Sequence, residues 1–534
     1  MVFRNERKLF RQKEGLTGKT IFSLYSPESG YTIYNDSDWW NQEKWDPLSY
    51  GMDFDPARTF FEQIFELSKK VPKYSRAVTA SKMVNSDYSA NAEDLRNCYL
   101  LFNSNFTEDC SYGNGVDYCR NCFDVSHIQK SERCYDSFWL TNCYETHFSA
   151  QCENCLSSWF LKNCRDCQHC FGCANLRSKS YCIWNEQYTK EEYEEKLEEM
   201  ELKKWSNFSL ARKKAEEFWL KFPNKFMEGT HNQNVTGEYI SNSKNVKESY
   251  LIRECENLKY VQYSQVPSSK DCMDATIIGN KTELLYECSV CGWRSSDMRF
   301  CMECWDGGSG FEYCMFCGHM ASDLFGCIGI MKQKYCILNK QYSKEEYFAL
   351  KEKIKRHMND MPYTDKKGRV YKYGEFFPPE FSPFAYNHTI ASEHFPKGKE
   401  EAEQLGMRFD DSDPNKYDIT ISASDLPDSV SDVTGSILRE VISCAGCGRA
   451  YRIIAPELSF LKQTNVPLPR LCVDCRHERR IAHRHSSKFY HRSCMCKEKG
   501  HNHKGKCPNE FETSYSPNLP DIVYCEDCYN KEVY

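Results

Sequence analysis

The first 97 residues of this 534-residue chain contain no cysteine, although 32 follow between Cys98 and Cys528. No apolar run approaches the roughly 18 residues needed to cross a bilayer. The opening MVFRNERKLFRQK is charged and has no signal-peptide core, so the expected compartment is the cytoplasm, where thiols stay reduced or bind metal. No HExxH, nucleophile elbow or Rossmann glycine pattern occurs, and TGKT at 17–20 has Lys13 where a phosphate loop needs glycine. These absences point away from an enzyme, identify no catalytic residue, small-molecule substrate or membrane partner, and leave the cysteines as the main carriers of chemistry.

Thirteen cysteines lie from Cys98 to Cys182, ten from Cys255 to Cys336 and nine from Cys444 to Cys528. In the first group one spacing recurs, from Cys122 to Cys143 to Cys164, from Cys134 to Cys155 and from Cys98 to Cys119. Asn precedes cysteine at 97, 121, 142, 154 and 163. A repeat of that length suits a β-solenoid coil of roughly 70 Å of extended chain, with cysteines inside and Asn at the corners. The second group steps by 13 from Cys288, Cys291 through Cys301, Cys304 and Cys314, Cys317 to Cys327. That pattern fits a tetrahedral CxxC–CxxC metal site or a shorter coil of the same ladder; packed thiols, bound metal and disulfides all remain open for both groups.

Two duplications organise the chain. GCANLRSKSYCIWNEQYTKEEYEEKL from Gly172 matches GCIGIMKQKYCILNKQYSKEEYFALKEKI from Gly326, and Thr189/Glu192 and Ser343/Glu346 predict capping boxes that open helices after each body. Near the C-terminus, YSPNLPDIVYCEDC aligns with YSPESGYTIYNDSD near the N-terminus, with Asn35 and Asp38 at the positions of Cys525 and Cys528. Such oxygen ligands suit a thiolate-rich zinc site poorly, so this first copy reads as a metal-free ribbon packed through Trp39, Trp40 and Trp45. A helix is predicted from Pro56 to Val71, one or two helices over 189–222, and a connector of short elements over 361–440.

Cys444, Cys447, Cys472 and Cys475 form two CxxC knuckles at zinc-ribbon spacing. The last segment adds Cys494, Cys496, Cys507, Cys525 and Cys528, with His501 and His503, which is too many donors for one four-coordinate ion. Cys525 and Cys528 are the safest ligands there, Cys496 and Cys507 the next. About two structural zinc ions are expected. Between the ribbons, Arg476, Arg479, Arg480, Arg484, Lys488 and Arg492 accompany Phe489 and Tyr490. Residues 444–506 hold 14 Lys+Arg against 4 Asp+Glu, although the whole chain is −6. Arg476, Arg480 and Arg484 share a helical face, which suits phosphate, an acidic protein partner or a solvated helix balancing an acidic body.

The stretch CAGCGRAYRIIAPELSFLKQTNVPLPRLCVDCRHERR resembles bacterial "probable zinc-ribbon" domains, and PNEFETSYSPNLPDIVYCEDCY resembles their companion ribbons, with Cys494-Met-Cys496 in place of the usual first CxxC. With YSPESGYTIYNDSDWWNQEKWDPLSYG, NKQYSKEEY and YGEFFPPEFSPFAYN, the whole chain resembles an uncharacterised cysteine-rich bacterial family with these C-terminal domains. Its members often keep cysteines at the positions of Asn35 and Asp38. The expected fold is mixed but mainly β: two cysteine-rich β-solenoid-like bodies with capping helices, C-terminal tandem zinc ribbons and a degenerate N-terminal ribbon. The expected divisions are a ribbon and helix (1–84), the first body (85–188), a helical connector (189–226), the second body (227–342), a helix and connector (343–440) and the tandem ribbons (441–534). The expected function is a zinc-binding scaffold that contacts nucleic acid or a ribonucleoprotein through its basic C-terminal region; an assembly role with protein partners, or thiol and metal handling, is the alternative.

Overall fold

A computed structural model describes residues 1–5, 7–264, 269–411 and 417–534; residues 412–416 of the expected connector lie outside them. The first cysteine-rich body is a parallel β-solenoid. Its ladder runs Ala90, Phe102, Asn114, Ser126, Phe138, Ala150, Lys162, Ala174, one constant step throughout. The coil therefore repeats from Cys110 to Cys122 to Cys134, a shorter period than the step from Cys122 to Cys143 suggests.

The coil is short because the chain turns a corner at every third residue. Asn97, Leu100, Asn103, Phe106 and Asp109 all have φ between 49° and 54°. Four such corners close a square. The left-handed region costs an ordinary residue about 1–2 kcal/mol and is easiest for Asn and Asp. All five Asn residues that precede cysteine stand at these corners, as the sequence suggests. Equivalent corners also bond along the stack: Asn142 Nδ2 donates to Asn154 Oδ1 at 2.8 Å, and Asn154 Nδ2 to Asp166 Oδ1 at 2.9 Å.

The residue after each corner points inward. Cys98, Leu101, Ser104, Thr107 and Cys110 are all buried. Cysteine suits this position because it combines small volume with a polar atom. Cys122 Sγ lies 3.3 and 3.5 Å from the carbonyl oxygens of Arg120 and Ser131, and it accepts the Cys134 N–H at 3.5 Å. Ser137 occupies the same role, with its Oγ near the carbonyls of Tyr135 and Thr146 and accepting from Ser149 N. An inward side chain thus satisfies a backbone N–H one coil later that the ladder leaves unpaired. Burial pushes the thiol of Cys98 up to about 11 and those of Cys272 and Cys336 to about 12, so they keep the proton that donation needs.

The second body starts and ends on the same 12-residue step, from Ile240 to Ile252 and from Leu324 to Cys336, but its middle coils have one longer side. Cys272, Leu285, Met298, Phe311 and Leu324 pair at steps of 13. The 13-residue cysteine spacing is thus a coil of the ladder. Just before the doubled corner at His319 and Met320 adjacent coils come very close: a Cβ on Gly318 would fall 1.7 Å from the Trp305 carbonyl oxygen, so only glycine fits.

Both bodies end alike, which explains the duplication at 172 and 326. Asn185 Oδ1 accepts from Ala174 N and its Nδ2 donates to Ala174 O, at 3.0 and 2.9 Å. Asn339 does the same for Ile328, at 2.7 and 2.8 Å. One side-chain amide replaces the missing next coil. Helices Lys190–Glu199 and Lys344–Asp360 then open with both predicted capping boxes formed. The segment 189–222 resolves into two helices, the second being Trp205–Trp219. The earlier helix is Phe60–Lys70 and starts later than Pro56, because Thr59 and Glu62 form a capping box while Gln63 holds Asp55 in a turn before it.

The solenoids lie side by side in opposite senses. Arg165 near the end of the first is 3.8 Å from Glu228 at the start of the second. In the middle, Arg253 sits over the Trp139 ring, 4.8 Å from its centroid. At the other end, Arg4 reaches both Asn103 of the first body and Glu303 of the second, at 2.5 and 3.3 Å.

Candidate metal centres

Three ribbons surround the paired solenoids, and in each a turn and a helix start bring four side chains together. In the first C-terminal ribbon, strands Ile442–Ser443 and Ala450–Tyr451 flank the knuckle. Cys444 N donates to Arg449 O, Gly448 N donates to Cys444 O, and Gly448 takes φ 71°. Cys472 caps helix Val473–Ile481. The sulfurs of Cys444, Cys447, Cys472 and Cys475 lie within 4.8 Å of one another, and Cys447 and Cys472 are 3.7 Å apart. A tetrahedron with ~2.3 Å metal–sulfur bonds has edges of about 3.8 Å. Burial works against ionising Cys444, but the N–H groups of Cys472, Cys447 and Gly446 bring its thiol down to about 7. Burial pushes the Cys472 and Cys475 thiols up instead, so it is the spacing of the four sulfurs that fits a thiophilic divalent ion.

In the second ribbon Cys494, Cys507, Cys525 and Cys528 are all buried within the same 4.8 Å limit, with Cys507 and Cys525 sulfurs 3.9 Å apart. Cys494 Sγ accepts Cys525 N at 3.2 Å, and Asn509 Nδ2 donates to Cys525 Sγ at 3.3 Å. The partner of Cys507 in this tetrad is thus Cys494, whereas Cys496 turns away to His501. Among the described residues, the side-chain sets with metal-holding geometry all lie in these two ribbons, beyond both cysteine-rich bodies.

The N-terminal ribbon repeats the knuckle with oxygen and nitrogen side chains. Glu14 N donates to Lys19 O and Gly18 N to Glu14 O, so Glu14 and Thr17 take the places of Cys444 and Cys447. Asn35 N donates to Glu14 Oε1 at 3.0 Å, as Cys472 N does to Cys444 Sγ at 3.1 Å. Asn35 Nδ2 reaches Glu14 at 2.6 Å and Asp38 at 2.5 Å, Thr17 binds Glu14, and Lys44 pairs with Asp38. Hydrogen bonds thus join all four ligand positions. Trp39 and Trp45 are buried beside them and Trp40 is half-buried. Glu14 and Thr17 escaped sequence reasoning, although ExxTG set against CxxCG would have revealed them.

No protein-family model matches the chain, and no curated protein does. Among solved structures, a protein of Desulfovibrio desulfuricans G20 whose title proposes an acetyltransferase matches 54% of this chain and 84% of its own, at 12% identity and a TM-score of 0.10. A superposition that weak carries no argument about fold or activity.

The arginines expected to form a phosphate stripe face the protein. Arg476 is 1% exposed; its Nη1 donates to Glu457 at 2.6 Å, to Tyr135 at 3.3 Å and to Asp124. Arg480 donates to Asp124 at 3.0 Å, and Arg479 to Asp136 at 2.5 Å. Arg484 bonds Glu393 at 2.9 Å. Arg492 lies 3.4 Å from the carbonyls of Tyr515 and Ser516, while Lys488 alone is exposed. Asp136 is buried, yet Arg479, Arg212 and Arg480 hold its carboxyl well below the usual range. The face predicted for a partner docks on the first solenoid through Arg476 and Arg480 and on helix Ile390–His394 of the connector through Arg484. Sequence could not show this, because Asp124 and Asp136 belong to the first body, more than half the chain away from the arginines they meet.

Proposed function

We propose that this protein is a scaffold whose paired solenoids are clasped by zinc ribbons, acting as a structural or assembly protein with protein partners. The carrying observation is that the ribbons touch both solenoids through the elements that four-thiolate sites would hold in shape. Helix Val473–Ile481, capped by Cys472, inserts Arg476 and Arg480 against Asp124 of the first body. Strand Val523–Tyr524, next to Cys525, pairs with Asn224–Lys225 at the entrance to the second body. Tyr529 OH, one residue past Cys528, accepts from Arg177 near the end of the first body at 3.3 Å, and Ser514 donates to Glu238 of the second. A closed tetrathiolate site leaves no open position for catalysis and serves structure. The resemblance to cysteine-rich bacterial proteins with zinc ribbons supports the same reading. The test is metal removal: a strong chelator should open the particle in small-angle scattering and expose 484–522 to protease, with solenoid circular dichroism retained. An unchanged scattering profile after complete demetallation sinks the proposal.

Contact with nucleic acid is the second reading, and it rests on other residues than the helix. Lys497, Lys499, Lys504 and Lys506 are exposed in one short loop. Retention of RNA or DNA that weakens steeply with salt and is lost when the four lysines become Gln would support it; retention unaffected by these changes removes it.

A further inference from the structure

The second ribbon contains more ligands than one ion can use, and their placement is ordered. Besides the tetrad, Cys496, His501, His503 and Cys528 form another set whose ligand atoms lie within 4.8 Å of one another. Cys496 Sγ is 3.0 Å from His501 Nδ1, and Cys528 Sγ is 3.4 Å from His503 Nε2. Tetrahedral S···N edges with ordinary zinc bond lengths are about 3.5 Å. Cys528 belongs to both sets.

We propose that the second ribbon holds a binuclear cluster of thiophilic divalent ions, zinc or a similar d10 metal, bridged by the Cys528 thiolate. The inference deepens the zinc-clasp reading and rests on it for the presence of metal in the tetrad. Seven donors with one bridging make two complete four-coordinate shells: Cys494, Cys507, Cys525 and Cys528 around one ion, and Cys496, His501, His503 and Cys528 around the other. The spacings follow. Cys494-Met-Cys496 gives one thiolate to each set, and the bend over 501–506 brings both rings of His501-Asn-His503 to the second. Each imidazole also meets an oxygen on its other side. His503 Nδ1 lies 2.8 Å from Gly505 O, and His501 Nε2 lies 3.9 Å from Glu532. The bond to Gly505 fixes the His503 tautomer that presents Nε2 to metal, whereas Glu532 is too far from His501 for a hydrogen bond. Five thiolates against two divalent ions leave one negative charge, in a loop that also carries the exposed Lys497, Lys499, Lys504 and Lys506.

The test is metal content of full-length protein purified anaerobically, with zinc and then 113Cd as probes. Three ions per chain are expected, falling to two in His501→Asn/His503→Asn, which leaves both tetrathiolate sites intact. The cadmium protein should show two resonances split by 113Cd–113Cd coupling through the shared sulfur, and Cys496→Ser should remove that splitting while one uncoupled tetrathiolate signal from this ribbon stays. Two ions in the parent protein, or three without coupling, overturn the cluster. Those outcomes leave the clasp standing, because its own test is opening on demetallation. Conversely, three ions with two of them coupled, in a particle that chelation does not open, would refute the clasp and keep the cluster.

Discussion

Replacing Arg476 with alanine should loosen the first ribbon from the solenoid beneath it. The guanidinium and the carboxylates of Asp124 and Glu457 are each no more than 1% exposed. Removing one member of a buried ionic group leaves uncompensated charge and costs about 3–5 kcal/mol. Arg480 still neutralises Asp124, so Glu457 is stranded. At about 1.4 kcal/mol per tenfold, the open population should rise by roughly 100- to 4000-fold. Native-state proteolysis of the segment after residue 484, in the regime where cleavage follows the open population, reads that ratio directly. The deficit should also depend on pH with a defined sign. Burial raises the Glu457 carboxyl and Arg476 opposes that rise. An acid whose folded pKa exceeds its unfolded value contributes fully below the unfolded pKa and loses that contribution as pH rises from there through the folded pKa. Without Arg476 the folded value climbs further. The variant is therefore weakest at neutral and higher pH and recovers as pH falls toward the unfolded value of about 4.3. Lys488→Ala, on the exposed side, should stay within about 0.5 kcal/mol of the parent. Equal protease sensitivity of the two variants, or a deficit that grows on acidification, refutes this account.

Three other outcomes follow from the coil. Cys134→Ser should cost less than about 1 kcal/mol, since Ser137 and Ser149 already work in the same role, whereas Cys134→Leu should cost about 1–3 kcal/mol by overpacking; thermal melts that rank them the other way dispose of the bridging argument. Asn142→Val places a β-branched residue at φ 54° and breaks the bond to Asn154, so it should lower the melting temperature while Asn142→Gly is milder, as calorimetry can check. Asn339→Ala should fray the last coil of the second body, because Ile328 N–H and C=O lose their partners at about 1–3 kcal/mol each; hydrogen exchange no faster at residues 327–330 would contradict the end-cap role.

Part of this architecture was legible in the chain. The asparagines before cysteine announced corners, and CxxC spacing announced the ribbon knuckles. The coil length was harder, though Cys98, Cys110, Cys122 and Cys134 are evenly spaced at the true period. With one inward residue in every three, several different cysteine spacings are compatible with the same wall, and Ser, Thr, Leu and Val fill the remaining places. Only the registered ladder shows which multiple is one turn.

The sequence alone determined local matters: left-handed corners that Asn accepts, small polar residues for the interior, capping boxes, and thiol pairs on tight turns. These depend on neighbours within a few residues. Tertiary structure alone decided where the charges went. Arg476 and Asp124 are 352 residues apart, and whether the arginine meets solvent, phosphate or that carboxylate depends on which faces the solenoid turns outward. It likewise decided that Cys528 stands in both ligand sets, because sharing a ligand is a property of positions in space.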